Sequence, residues 1–227
     1  PKTSEGIYVF TNQDAPNVSI GSLVEVSGTV TEYTPRAERY FLPLTEIVRP
    51  TVKVISKDNP LPKPVTLTTT ELNPQSKIDQ MERFEGMRVQ VEHLNVVAPT
   101  GGRVNEKTGE ATTDGVFFGV IAGTPRPFRE AGLDALTIIM DKLPNTIPYF
   151  DMNPELLRID SDSQTGSKPI DVTSGATLKN LTGVVDYSFK SYTILVDANN
   201  PPTVEGNKTF VPTSPAGERE VTVGSFN

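Results

Sequence analysis

The sequence predicts an all-β protein built from two related β-domains in tandem, and three observations carry that prediction. The first is the stretch from Gly175 to Val196, which reads as a strand, a tight turn and a second strand. Leu178, Leu181, Val184 and Val185 supply β-forming side chains, and Tyr187, Phe189, Tyr192, Ile194 and Val196 continue the alternation. Gly183 interrupts the first strand, where the absent side chain permits a bulge or a sharp coil. The second observation is an echo of this plan in Gly21 to Tyr33, with an internal Gly28, a Thr/Val pair, an acidic residue and a closing Tyr33. The later copy has one extra residue between its two glycines, so the match is approximate; repetition of one strand-and-coil unit far apart in the chain points to related domains. The third is punctuation: many short apolar runs are set off by 20 prolines and 17 glycines. Such runs build barrels or sandwiches, and an immunoglobulin-like sandwich is the structural alternative.

In chain order, residues 5–11 read as a strand and 23–33 as a long one. Residues 40–48 and 51–56 read as two further strands separated by Arg49-Pro50. Residues 59–65 are proline-stiffened and close to polyproline II. These make a first domain over 1–72. The segment from Thr70 to Arg83 is the best helical candidate, of one to three turns: Asn73 caps it, Pro74 opens it, and Ile78, Met81 and Phe84 repeat every three residues. A strand from Phe84 to Val97 opens a second domain over 73–199. Within it, 100–110 is a polar hairpin tip or loop, 115–122 and 136–141 are buried-type strands, 124–130 is a loop rich in proline and arginine, and 156–160 is a short strand. Asn199-Asn-Pro-Pro marks a boundary, 200–217 reads as a linker, and 218–227 opens a new strand whose sheet is not in this sequence.

Composition narrows the class. A chain of 227 residues with 36% hydrophobic content and no tryptophan suits small β-domains with long loops better than one large α/β core. The absence of cysteine excludes disulfides and thiolate metal sites, and suits an exported bacterial protein. No apolar run is long enough to cross a membrane as a helix. The opening Pro1-Lys-Thr-Ser-Glu has no signal-peptide pattern and reads as the start of a fragment. A net charge of −7 opposes a general nucleic-acid-binding surface, because phosphate contacts need a basic face; the 21 Lys and Arg still allow a local one.

Several segments come in a familiar order: residues 4–11, 21–33, Leu44-Thr-Glu-Ile, 59–67, Phe84-Glu-Gly-Met-Arg-Val and Leu181-Thr-Gly-Val-Val-Asp-Tyr. They resemble the region upstream of the catalytic domain in predicted extracellular bacterial nucleases, a region described as OB-fold-like. Val221-Thr-Val-Gly-Ser-Phe-Asn resembles the first strand of an endonuclease/exonuclease/phosphatase (DNase I-like) domain, and Asn227 matches the residue that helps build that family's metal and phosphate site. The resemblance implies two tandem OB-fold-like barrels, the first lacking its opening strand, then the linker and a severed strand. It implies an extracellular or periplasmic location. It also implies a parent hydrolase whose own C-terminal nuclease domain, a partner of this region, uses a divalent metal such as magnesium. The family's catalytic His, Asp and Glu lie beyond Asn227, so no catalytic residue and no cofactor are expected in this fragment.

Individual residues carry the remaining expectations. His93, the single histidine, follows Glu92 in a strand without a visible constellation and reads as a strand-face residue. Asp160 and Asp162 are weak metal candidates: counted from Asp160, Gly166 falls one place late for a calcium loop and Asp171 stands where a bidentate Glu belongs. Arg126, Arg129, Arg158, Lys179 and Lys190, with Tyr187 and Tyr192, are the candidates for holding single-stranded nucleic acid, since OB-folds stack bases on aromatics within a basic groove. The competing reading makes the aromatics core and pairs the basic side chains with acids, leaving a structural spacer or a module that binds protein or polymer. Residues 221–226 are expected, if ordered, to pair with a sheet edge, with Asn227 binding no metal.

Overall fold

The computed structural model describes residues 2–12, 16–36, 41–127, 129, 131–134, 146, 148–209, 214–221 and 223. The first three strands are β1 (Tyr8–Phe10), β2 (Leu23–Tyr33) and β3 (Leu44–Ser56). Then come β4 (Val65–Thr66), β5 (Arg88–Ala98), β6 (Gly102–Asn105), β7 (Glu110–Thr113) and β8 (Val116–Ile121). The rest are β9 (Leu133–Asp134), β10 (Tyr149–Phe150), β11 (Leu157–Asp160), β12 (Thr177–Ser188), β13 (Ser191–Val196) and β14 (Thr203–Glu205). The protein is all-β, as the alternating sequence predicts.

Five strands close a barrel. β5 pairs antiparallel with β8, β8 antiparallel with β11, β11 parallel with β13, β13 antiparallel with β12, and β12 antiparallel with β5 again. In order along the chain these are strands one to five, joined 1-2-3-5-4-1, a Greek-key arrangement. β5 closes it by serving two neighbours: its early residues, Arg88 to Asn95, face β12, while Leu94 to Ala98 face β8 across a bulge between Val96 and Ala98. The bulge bends the strand, as closure requires. Leu94, Phe117, Leu157, Ile159, Leu178, Leu181 and Ile194 fill the interior at 0% exposure, each worth about 1.5–3 kcal/mol of burial.

The first unit repeats half of this plan. β1 lies parallel to β3, and β3 antiparallel to β2, which is the relation of β11, β13 and β12. The echo seen in the sequence is therefore structural: β2 stands where β12 stands. A Cβ on Gly28 would lie 2.4 Å from Ile47 Cγ2 and 2.9 Å from the Val48 carbonyl oxygen. A Cβ on Gly183 would lie 2.7 Å from Ile194 Cγ2 and 2.3 Å from the Leu195 carbonyl oxygen. Each glycine lets its strand press against the same Ile of the following strand. Among the described residues the first unit does not close. Counterparts of both β5 and β8 are lacking, not of an opening strand alone. β2 is accordingly solvated along most of its length, with Val30 61% exposed.

Four further expectations are corrected. The helix over 70–83 is a run of turns ending in a 3-10 turn, Glu82–Phe84. The bonds Gln80 N–H to Lys77 O, Glu82 N–H to Asp79 O and Phe84 N–H to Met81 O all span three residues. The spacing of Ile78, Met81 and Phe84 is thus that of a helix with 3.0 residues per turn, not 3.6. Arg49-Pro50 does not break the strand: β3 runs through it, Arg49 adopting φ +51 so that two residues bulge opposite Gly28. The boundary expected at 72/73 falls inside the barrel, because β4 pairs parallel with β5 and Leu67 and Leu72 join its core. The expected linker begins with β14, which pairs with β12, and Asn207 then bonds the backbone of Asp171 and Thr173. The expected strand 136–141 lies outside the described residues. So do most of 221–227, Asn227 included; the described Val221 and Val223 are in no strand and are 88% exposed.

The two units meet at the head of β5. The Ser4 hydroxyl donates to the Glu85 carbonyl, and the Thr45 N–H donates to Glu85 Oε1 at 3.0 Å. Phe41, Leu42 and Leu44 pack on the barrel core. Glu85 is 6% exposed and its Oε2 has no partner among the described residues.

This architecture makes two positions testable. Gly183→Ala forces a methyl into the backbone of β13, and thermal or denaturant unfolding should show a loss of about 1–3 kcal/mol; unchanged stability would contradict the closeness of β12 and β13. For Glu85, burial pushes the carboxyl up to about 7, helped by Glu82, Asp186 and Glu32 and opposed by the Thr45 N–H. The folded state therefore binds a proton that the unfolded state releases between the ordinary value of 4.5 and about 7. That contribution is full below the lower value and is lost as pH rises through the window. Melting temperature should fall across that window in the parent, and less steeply in Glu85→Gln.

Candidate functional site

The seven residues expected to hold nucleic acid do not form one groove. Tyr187 and Tyr192 belong to the barrel core, 8% and 3% exposed, packed edge-to-face with ring centroids 5.0 Å apart. Burial pushes the Tyr192 hydroxyl well above its ordinary range, with Glu82 and Tyr187 adding to it. Their rings offer no open stacking face. Arg158 is 8% exposed; its Nη2 lies 3.0 Å from Asp160 Oδ2 and its Nη1 donates to Thr193 Oγ1 at 3.4 Å. Lys179 pairs with Glu205 at 2.8 Å across β12 and β14. Arg129 lies over the Phe150 ring at 4.3 Å, and Arg126 is exposed. Lys190 lies over the Phe41 ring, Nζ 4.7 Å from its centroid. The acidic candidates are likewise engaged or solvated: Asp160 holds Arg158, and Asp162 is exposed. Between them Ser161 turns inward, donating to the Gly115 carbonyl at 2.7 Å and accepting from the Ile170 N–H at 2.9 Å. His93 is an exposed face residue of β5. Among the described residues no three His, Asp or Glu gather as metal ligands.

The arrangement that does gather lies between the units. A cleft of 670 Å³ opens where the outer face of the half-barrel meets the outer face of the barrel. The half-barrel contributes Tyr8 and Phe10 from β1, Leu44 and Glu46 from β3, and Tyr33 from the end of β2. Strand alternation puts Tyr8 and Phe10 on one face, and the register sets Tyr8 beside Glu46 and Tyr33 beside Leu44. The barrel contributes Asp160, Asp186, Leu195 and the turn residue Phe189. Burial raises Glu46. Burial also raises Asp186, held back by the Ser188 hydroxyl, the Tyr187 N–H and Arg158, and pushed further by Asp160. Tyr8 is raised first by burial, then by Asp186 and Glu46, which places its hydroxyl within the field of both carboxylates.

The sequence alternation counts Phe189 among the inward residues, yet it is 73% exposed. It and Lys190 form the two-residue turn between β12 and β13, with φ +52 and +66. Asn and Gly usually fill such a turn because both positions need positive φ. A Phe-Lys pair held there is strained, and such strain is seen where side-chain placement matters. The Arg158 guanidinium carbon lies 4.8 Å from the Phe189 ring centroid and supports the exposed ring from below. Glu46, Asp186, Tyr8 and Tyr33 have no signal in the sequence; the turn does, in its two side chains at positions that disfavour them.

Among the described residues no helix is long and apolar enough to cross a membrane. No curated protein matches this sequence, and no solved structure matches it. One protein family does, described as Domain of unknown function (DUF8508), over residues 45–206. That stretch runs from the start of β3 through the whole barrel to just beyond β14, well over half of the sequence, and the chain belongs to this family.

Proposed function

We propose that this chain is a non-catalytic accessory region of a larger exported hydrolase of nuclease type, and that it serves as a spacer and recognition module without holding nucleic acid. The parent assignment rests on the resemblance of residues 4–11, 21–33 and 221–227 described above. The recognition assignment rests on one observation: the aromatic candidates are buried and two of the basic ones are already paired with acids. Tyr187 and Tyr192 are core, Arg158 is held by Asp160, and Lys179 is held by Glu205. A strand of phosphates meets instead a cleft whose charged groups, among the described residues, are carboxylates, in a chain of net charge −7.

A second reading keeps nucleic acid as the partner. Its support is local: the β6–β7 hairpin carries exposed Arg103 and Lys107, and the β12–β13 turn carries exposed Phe189 and Lys190. These lie in the two loops by which OB barrels take oligonucleotides. Titration of fluorescently labelled single-stranded DNA at low and moderate salt separates the readings. The recognition-module account predicts no saturable binding at low salt. Binding that weakens steeply with added salt, and that is lost in a Phe189→Ala/Lys190→Ala double variant, would establish the second reading in its place.

A further inference from the structure

The cleft between the half-barrel and the barrel has the size of a small-molecule site, 670 Å³, within the roughly 300–1,000 Å³ usual for such sites. Its chemistry is one-sided. The walls are aromatic and aliphatic, from Tyr8, Phe10, Tyr33 and Phe189. Among the described residues the charged groups lining it are carboxylates: Glu46, Asp160 and Asp186. Among the described residues no Lys or Arg lines it. The nearby guanidinium of Arg158 is already committed to Asp160 at 3.0 Å. No cation pairs directly with Asp186 among the described residues; burial raises it, and the Ser188 hydroxyl, the Tyr187 N–H and the field of Arg158 hold it back.

Glu46 is the second and independent observation. It is 5% exposed, its carboxylate oxygens are not sealed from water, and among the described residues no hydrogen bond or ion pair reaches them. A carboxylate held this far from bulk water without a partner gains from a cation that reaches it. Glu46 stands in the middle strand of the half-barrel, beside Tyr8, so a cation reaching it also meets the aromatic faces of the cleft. Cations over aromatic rings gain most when the site is desolvated. An anion would be repelled by Glu46 and Asp186, since only Asp160 is directly paired with a cation, and a neutral ligand would leave Glu46 unpaired.

We propose that this cleft binds a small organic cation, with its ammonium group at Glu46 and Asp186 and its apolar body among Tyr8, Phe10, Tyr33 and Phe189. The site is built by both units, and neither unit alone has it: the half-barrel supplies Glu46, Tyr8, Phe10 and Tyr33, and the barrel supplies Asp186 and Phe189. The inference stands apart from the accessory-region reading, since it requires nothing of the parent protein or of nucleic acid.

Isothermal titration of the whole chain with phenethylammonium, against 2-phenylethanol and 3-phenylpropanoate, tests it. The ammonium should bind saturably, the alcohol of like shape more weakly by about tenfold or more, and the carboxylate not at all, reflecting loss of one charge-assisted contact. Glu46→Gln and Asp186→Asn, checked for unchanged circular dichroism, should each weaken the ammonium by a similar factor and leave the alcohol unaffected. If either variant misfolds, chemical-shift changes in the parent protein at Tyr8, Glu46 and Phe189 carry the test. The proposal is overturned if the ammonium does not bind, if the alcohol binds equally well, or if the shifts fall elsewhere on the protein.

Discussion

Closure of the barrel depends on a single crowded crossing. At Gly183 the strand β12 is paired on both sides at once, with Val89 of β5 and with Val196 of β13. The carbonyl of Leu195 and the side chain of Ile194 come so close that no Cβ fits. Ile194, Leu181 and Val185 can then meet in the interior at 0–1% exposure. Without that approach β5 and β13 would not share β12, the ring would open, and the parallel pair β11–β13 would lose its place. In the first unit Gly28 makes the same approach to Ile47, but among the described residues the ring has no strands to close with. One contact, used twice, thus gives a finished barrel and half of one.

The half-barrel is not left free. Its outer face turns toward the outer face of the barrel, and Ser4 and Thr45 fasten it through Glu85. Facing two like surfaces across a cleft brings together groups that each sheet alone would leave in water. Burial raises both Glu46 and Asp186 from their ordinary values, and Tyr8 feels both. The electrostatics of the molecule are therefore concentrated where the units meet. They are acidic there, and Arg158, paired with Asp160 and acting on Asp186 as well, offsets only part of that charge.

The main strands are legible because apolar patterning and glycine spacing survive in the sequence: β2, β5, β11, β12 and β13 lie where strands are expected, and β8 lies where a buried-type apolar run predicts it. β4 and β14 are not, because strands of two and three residues carry no period and exist only through pairing with distant partners. The helix reading fails at Ile78, Met81 and Phe84 because a spacing of three suits a 3-10 turn and an α-helix alike over so short a run. Phe189 is misplaced because alternation is carried through a turn whose two residues face neither sheet. The cleft itself is illegible. Its carboxylates are outward residues of strands far apart in the chain, and outward acids carry no mark until another surface covers them.

Native-state hydrogen exchange followed residue by residue reads the central claim most directly. The account makes β12, doubly paired around Gly183, the keystone of the closed barrel, and the β2–β3 sheet an attached half without strands to seal it. It predicts that amides of Leu181 to Val185 exchange only through global unfolding, while those of β2 exchange through a separate opening of lower free energy. Amides of β2 protected as strongly as those of β12, or β12 exchanging first, would contradict it.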